Sequence, residues 1–452
     1  MKHDDTVFKI QDLTSVVMDL LAQEKRQIVF EILDLYFKRA VSIEDFDTLG
    51  YLSLKAEYRQ LYLKCAEAAY VRAENSQQLF IARSNLYKAY NVMNDPERAL
   101  FYIDLNLKIV PDDFETQTQR AFNIALTGDR TTSEEILLKL LEKHPEKKED
   151  MQSALSGKLL REGKLAQGIL SFLGTFKSKS GKFDDILKMK RWTGVIQPGK
   201  TIYVEGEGGI GDEIINIRFF KYLEDLGMKP ILYSSWSKYR EDTVNVFRRN
   251  GFNVITETYS IDRQQLWAPL MSLPGYLNLD ESRLWYGTYL TPLTNPKNKI
   301  KTKKFKIGIK CSGNPYFSQD EYRKIPLDKM LEYLPAEAEI YYIDKMPINH
   351  NRVIDVSSRI ETWEDTLDII DQMDCIVSSC TSLVHAAGAI GKTTFVVVPI
   401  AEYYIWSTSS NTTRSPWYGD NFQVHKQIKV RSWDEPLANV KNEVLRLMNE
   451  KN

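Results

Sequence analysis

The sequence is poor in the residues that most often signal redox or metal chemistry. Its 452 residues include four cysteines and five histidines. Cys65, Cys311, Cys375 and Cys380 form no CxxC pair and no metal-ligand spacing, which excludes a disulfide scaffold and a zinc ribbon. Reduced, packed thiols and no metal site are the expectation. Net charge is also lacking: 60 basic side chains against 61 acidic ones leave -1. No global field therefore draws the chain onto nucleic acid or anionic lipid, and any basic site is local. Nowhere does an apolar run reach the ~18 residues of a membrane helix. The opening MKHDDTVFKI has no apolar stretch of the secretory kind. A cytoplasmic protein without membrane insertion is expected. What the chain does have is 43% hydrophobic and 27% charged residues, enough for real cores in about three compact units.

Residues 1 to 190 carry helical spacing almost throughout and are expected to form one helical domain. Between 80 and 147 a period appears. Leu86, Tyr90, Ala99, Ile103 and Pro111 fall where a tetratricopeptide-type repeat places large, large, small, large and proline. Pro145 follows Pro111 by 34 residues, with Ala121, Ile124, Leu137 and Leu140 on the matching faces. The turns keep step at Asn94-Asp95, Gly128-Asp129 and Gly163, so a third, degenerate unit is expected from about 148 through Ile169 and Phe172. Upstream, YLKCAEAAY (62–70) suggests a further helical pair. Such arrays offer a surface to acceptors or protein partners and imply no chemistry by themselves.

From about 200 the period changes. TIYVEG, KPILYSS and FNVIT read as strands separated by helical segments. After a basic stretch the pattern restarts with KIGIKCSG, EIYYID, DCIVSS and TTFVVVP. Alternating strand and helix implies parallel sheets, and the restart implies two Rossmann-like domains, over 191–296 and 297–452. The fold class is thus α + α/β, a helical-repeat array followed by paired parallel sheets. Ligands of such sheets sit at the strands' carboxyl ends, so the loops after TIYVEG, KIGIK and DCIVSS are the candidate sites. Between the sheets, residues 294–310 hold seven lysines and no acid. They read either as a solvated hinge or as a local phosphate or nucleic-acid contact.

Three glycine motifs need sorting. Gly206-Glu207-Gly208-Gly209-Ile210-Gly211 matches GxGxxG between a strand and a helix. A dinucleotide site also needs an acid ending the second strand, yet that strand ends Tyr233-Ser234-Ser235-Trp236. Glu205, Glu207, Asp212 and Glu213 would moreover repel a pyrophosphate. Ala386 through Thr393 fits a permissive phosphate-loop pattern, but a helix ends at Gly391 and a strand follows, the reverse of the order required. Gly391 reads as a helix C-cap. The third motif, Cys380-Thr381-Ser382, ends a strand and starts a helix. Its free N–H groups at Ser382, Leu383 and Val384 make an anion site favoured by the helix dipole. His385, one turn in, either donates to a phosphate or packs.

At these residues the chain resembles the heptosyltransferase-related GT-B glycosyltransferases, glycosyltransferase family nine, and especially their relatives with tetratricopeptide repeats. The matching segments are GGIGDEIINIRFF (208–220), APLMSLPGYL (268–277), IGIKCSGNP (307–315), YRKIPLDKM (322–330), the run 363–392 and SPWYG (415–419). They span almost the whole of 200–430 in order.

The resemblance implies an inverting, metal-independent transfer of a sugar from a nucleotide-sugar donor, with no cofactor. It makes Asp212 the catalytic base, against the alternative of an acid that merely caps a helix. Glu213 or Glu207 is the substitute base, and Gly209, Gly211 and Glu213 complete an acceptor loop. Thr381, Ser382, Leu383 and His385 correspond to the diphosphate-binding turn. Lys324, with Arg323 beside it, corresponds to the basic residue that reaches the phosphates, and Ser312, Gly313 and Asn314 to a further phosphate contact. Many relatives carry aspartate where this chain has Cys380, which puts the donor sugar in doubt. The Asp-x-Asp of metal-dependent transferases occurs only as Asp45-Phe46-Asp47, in the helical half. Trp406, Trp417 and Tyr418 either stack on a base or sugar, or pack in the core. The acceptor is left open between a glycan, a protein hydroxyl and a hydroxymethylated DNA base. A catalytically inactive binding scaffold is the non-enzymatic alternative, and the Cys380 departure is its support.

Overall fold

A computed structural model describes residues 9–174, 188–234, 241–293, 299–314, 320–409 and 412–451. It forms two compact units, Met1–Lys143 and His144–Asn452. Among the described residues no helix is long and apolar enough to cross a membrane.

The first unit is all helix: α1 (Leu13–Ala22), α2 (Arg26–Phe37), α3 (Ile43–Lys55), α4 (Arg59–Arg72), α5 (Ser76–Val92), α6 (Pro96–Leu107), α7 (Phe114–Leu126) and α8 (Arg130–Lys143). The turns fall where the sequence placed them. Asn94 and Gly128 take left-handed backbone at φ 57° and 106°. Asp95 then caps α6 by accepting from Arg98 N–H at 3.2 Å, and Pro96 fills the first helical position. Leu86, Tyr90, Ala99 and Ile103 share one buried cluster. The Asp-x-Asp decoy is structural. Asp45 caps α3 by accepting from Ser42 N–H at 3.1 Å, and Asp47 accepts from Asn85 at 2.9 Å.

The second unit opens with α9 (Lys148–Arg161) and α10 (Leu165–Gly174). They keep the repeat's spacing, since α6, α8 and α10 begin at 96, 130 and 165, and Gly163 turns between them at φ 75°. Yet Leu160, Leu165 and Ile169 join the core of the first sheet. The helical domain expected over 1–190 therefore ends at 143. The repeat period persists past that point, while the apolar face finds a sheet to cover. The second boundary, expected at 296/297, lies outside the described residues.

The first sheet contains β1 (Lys190–Arg191), β2 (Thr201–Glu205), β3 (Lys229–Tyr233), β4 (Val254–Ile255) and β5 (Leu266–Pro269), all parallel in the order β1-β5-β2-β3-β4. Its helices are α11 (Ile210–Asn216), α12 (Phe220–Asp225), α13 (Glu241–Arg249) and α14 (Leu273–Tyr276). A 3-10 turn at Ile217–Phe219 separates α11 from α12. There Asn216 Nδ2 donates to the Asp212 carbonyl at 2.9 Å and Arg218 Nε to the Ile215 carbonyl at 2.7 Å, so side chains compete for the ladder's acceptors.

The second sheet contains β6 (Lys306–Lys310), β7 (Glu339–Tyr342), β8 (Ile354–Asp355), β9 (Cys375–Ser379), β10 (Thr394–Val398) and β11 (Phe422–Lys426). It is parallel too, in the order β11-β10-β9-β6-β7-β8. Its helices are α15 (Asp320–Arg323), α16 (Leu327–Glu332), α17 (Trp363–Asp371), α18 (Ser382–Ala389) and α19 (Asp434–Lys451). Gly391 caps α18 at φ 74°, as expected of a C-cap. The architecture is the helical array and paired Rossmann-like sheets that the sequence implies. Chain order reverses between β2 and β5 in one sheet and between β6 and β9 in the other. The crevices at the carboxyl ends of those pairs are the topological switch points.

Candidate active site

The loop after β2 runs to the first switch point and is packed with its own carboxylates. Asp212 accepts the Gly209 N–H at 2.6 Å and so caps α11. Gly208 sits in the left-handed region at φ 71°, and a Cβ there would stand 2.4 Å from Asp212 Oδ2. A Cβ on Gly206 would stand 2.2 Å from Glu213 Oε1. The glycines thus make room for acids, and this explains the GxGxxG pattern without a dinucleotide. Glu213 is fully buried and accepts from Ser234 Oγ at 3.4 Å. Half-buried Glu207 is pushed up to about 8 by burial and by the neighbouring Glu205 and Asp212 carboxylates.

The loops at the second switch point carry the opposite character. Thr381 is the N-cap of α18, but its side chain makes no cap hydrogen bond; its hydroxyl lies 3.4 Å from Ser378 Oγ. Val384 N–H already bonds the Thr381 carbonyl at 3.2 Å, so Ser382 and Leu383 supply the amides of the helix tip. Arg323 bridges the two loops. Its Nε donates to Asp320 Oδ1 at 2.7 Å and its Nη1 to the Cys380 carbonyl at 2.9 Å. Asp320 in turn accepts Gly313 N–H at 2.9 Å. Lys324 is exposed, with its backbone N–H on the Asp320 carbonyl at 2.8 Å. Arg323, rather than Lys324, is thus the cation built into the strand ends. Ser312 is half-buried and Asn314 exposed in the same loop. Burial lifts the Cys380 thiol to about 11 against the lowering influence of Arg323, so the thiol adds no negative charge to this loop.

These two walls meet. Glycine is required at 211, because a Cβ there would come within 2.8 Å of His385 Cδ2 and 3.3 Å of Ser382 Cα. Tyr403, from the loop after β10, is buried close to the Asp212 carboxylate. Burial and that carboxylate together raise its hydroxyl well above the phenol range. Asn216 Nδ2 reaches Tyr404 Oη at 3.4 Å. Asp212 therefore lies where the glycine loop contacts both α18 and the loop after β10. Tyr403 has no sequence signal, since it lies 191 positions from Asp212 along the chain.

The aromatic residues expected to stack on a base or sugar are core. Trp406, Trp417 and Tyr418 are buried, with Trp406 against His385 (5.6 Å, 10° between planes) and Tyr418 against Phe422 (4.1 Å). They present no open face, which settles their alternative in favour of packing. Of the lysines in 294–310, Lys306 and Lys310 pair with Asp374 and Asp344, whereas Lys299, Lys301, Lys303 and Lys304 are exposed. Lys297 lies outside the described residues. Among the described residues no group of three His, Cys, Asp or Glu side chains is placed to hold a metal.

No family model matches the sequence, and a search of curated proteins finds no match. Solved structures similar to the chain include a dodecameric iron-containing heptosyltransferase, TibC, in complex with ADP-D-β-D-heptose. It is 8% identical over 57% of this chain and 79% of that one, with a TM-score of 0.38. A glycosyl transferase family 9 protein from Veillonella parvula is 7% identical over 57% of this chain and 99% of its own, with a TM-score of 0.35. A mutant O-GlcNAc transferase from Thermobaculum terrenum is 12% identical over 90% and 93%, with a TM-score of 0.33. Likeness at this level assigns no residue a role.

Proposed function

We propose that the second unit is an inverting glycosyltransferase that moves a sugar from a nucleotide-sugar donor to a hydroxyl acceptor without a metal. The single observation that carries this is the meeting of two unlike switch points, a carboxylate loop against a positively polarised helix tip. Asp212 accepts the proton of the acceptor hydroxyl. That oxygen forms a bond to the sugar's anomeric carbon as the bond to the donor phosphate breaks, and the electron pair leaves with the diphosphate. One displacement inverts the centre. The α18 amides of Ser382 and Leu383 and the Arg323 guanidinium take up the leaving charge, the role that a cation fills elsewhere. A carboxylate has about four lone-pair sites, so the bond from Gly209 does not by itself exhaust those of Asp212. The helical array is assigned to recognition of the acceptor or a partner.

The test is hydrolysis and transfer from nucleotide sugars in the presence of EDTA, read as release of the nucleoside diphosphate. Release in wild type and its loss in Asp212→Asn support the reading. Release that depends on added divalent metal contradicts the metal-free step, and unchanged release in Asp212→Asn contradicts the base.

A further inference from the structure

Arg218 is completely buried in the turn after α11. Among the described residues it has no carboxylate within ion-pair reach. Its Nη1 donates to the carbonyls of Leu284 (3.4 Å) and Trp417, and its Nη2 to Tyr289 Oη at 3.0 Å. The guanidinium lies over the rings of Tyr289 at 4.6 Å, Tyr418 at 4.9 Å and Trp285 at 5.4 Å. A charge carried into a core without a counter-ion is costly, and an apolar side chain of similar volume would avoid the cost.

That charge lies over the Tyr418 ring. Tyr418 is buried, and among the described residues its hydroxyl meets one hydrogen-bond partner, His385 Nδ1 at 2.6 Å. If the phenol accepted there, its own hydrogen would be buried without a bond, so the phenol donates to Nδ1. A neutral imidazole that accepts at Nδ1 carries its proton on Nε2. Burial, then the charges of Arg218 and Arg323, hold His385 down at about 3, so the ring is neutral. His385 is only 7% exposed, yet its Nε2 has no partner among the described residues. A Cβ on Gly211 would stand 3.6 Å from that nitrogen, which places it at the seam between the glycine loop and the tip of α18. Tyr418 is seated directly on α18, because a Cβ on Gly388 would come within 2.4 Å of its ring.

We infer that Tyr418 is a positioning residue that locks His385 in its Nε2–H tautomer, presenting a neutral N–H donor to the leaving phosphate. The ligand in this inference rests on the glycosyltransferase reading above. Long-range proton–nitrogen spectra of histidine-labelled protein, with the resonance assigned through His385→Gln, test it. The expected result is an unprotonated Nδ1 and a protonated Nε2, unchanged from pH 8 to pH 5. Tyr418→Phe removes the hydroxyl alone and is expected to give mixed tautomers and about tenfold weaker binding of inorganic pyrophosphate. A proton on Nδ1 in wild type overturns the inference, even if the variant fails to fold. So does a Tyr418→Phe protein with unchanged tautomer and affinity. Failure of wild type to bind pyrophosphate or any nucleoside diphosphate removes the glycosyltransferase reading instead, and leaves the tautomer to be judged on its spectrum.

Discussion

The two sheets of the second unit share a topology and differ in what their switch points hold. After β2 the loop is crowded with Glu205, Glu207, Asp212 and Glu213, and its glycines are spaced around those carboxylates. After β6 and β9 the loops hold Arg323, an N-cap residue whose side chain leaves the helix tip uncapped, and a neutral histidine. One scaffold thus yields a carboxylate-rich wall and a wall with a cation and open helix amides, decided by a few side chains at strand ends. A glycine motif taken alone says neither. What separates the two is which groups the absent Cβ atoms admit.

Four experiments break or sharpen that contrast. The largest effect is expected for Asp212→Asn, which keeps an acceptor for the Gly209 N–H but removes the base. Its turnover is expected to fall by about 10²–10⁴ while affinity for the nucleoside diphosphate holds. Loss of affinity equal to the loss of turnover would place Asp212 on the donor side. Next comes Arg323→Lys, which keeps charge but loses the fork that spans Asp320 and the Cys380 carbonyl. Titration calorimetry is expected to show about ten- to a hundredfold weaker nucleotide binding. Lys324→Ala is expected to cost less than Arg323→Lys, and the reverse order would return the phosphate role to Lys324.

Third, Gly211→Ala forces His385 and Ser382 away from the glycine loop. A loss of about 1–3 kcal/mol in denaturant unfolding is expected, together with weaker activity. A neutral substitution would mean the walls do not touch. The smallest effect concerns Glu207. Its carboxyl is raised from 4.5 to about 8 in the fold, so the native state holds the proton more tightly than the unfolded chain. Stability is then greatest below pH 4.5 and declines as pH rises through about 8. Between pH 5 and 9 the melting temperature of wild type is expected to fall more than that of Glu207→Gln. Equal falls would remove the acid cluster from the pH response.

Much of this contrast is legible in the sequence. Strands β2, β6 and β9 are apolar runs closed by glycine or by a capping residue, and such punctuation survives in one dimension. The phosphate-loop decoy could be dismissed because strand and helix came in the wrong order, and Gly391 does cap α18. Other features had no local signal. Strand β5 is a four-residue buried run without alternation, so it gave no period to detect. The closeness of Tyr403 to Asp212 and the bond from Arg323 to the Cys380 carbonyl join distant positions, and only the sheet order brings them together. Trp406 and Trp417 looked equally suited to stacking or packing, because an aromatic ring's role depends on whether its face is covered. The division at 143/144 has no local signal, because α9 and α10 keep the repeat's spacing while their apolar face turns to a sheet.

The central claim, that a nucleoside diphosphate binds the Arg323-bearing wall without a metal, is tested most directly by thermal shift. Wild type and Arg323→Lys are melted in EDTA with UDP, GDP, CDP, TDP or ADP, since a ligand that binds only the folded state raises the melting temperature. One nucleotide is predicted to stabilise wild type and to lose most of that effect in the variant. No shift with any of the five, or an equal shift in both proteins, would contradict the account.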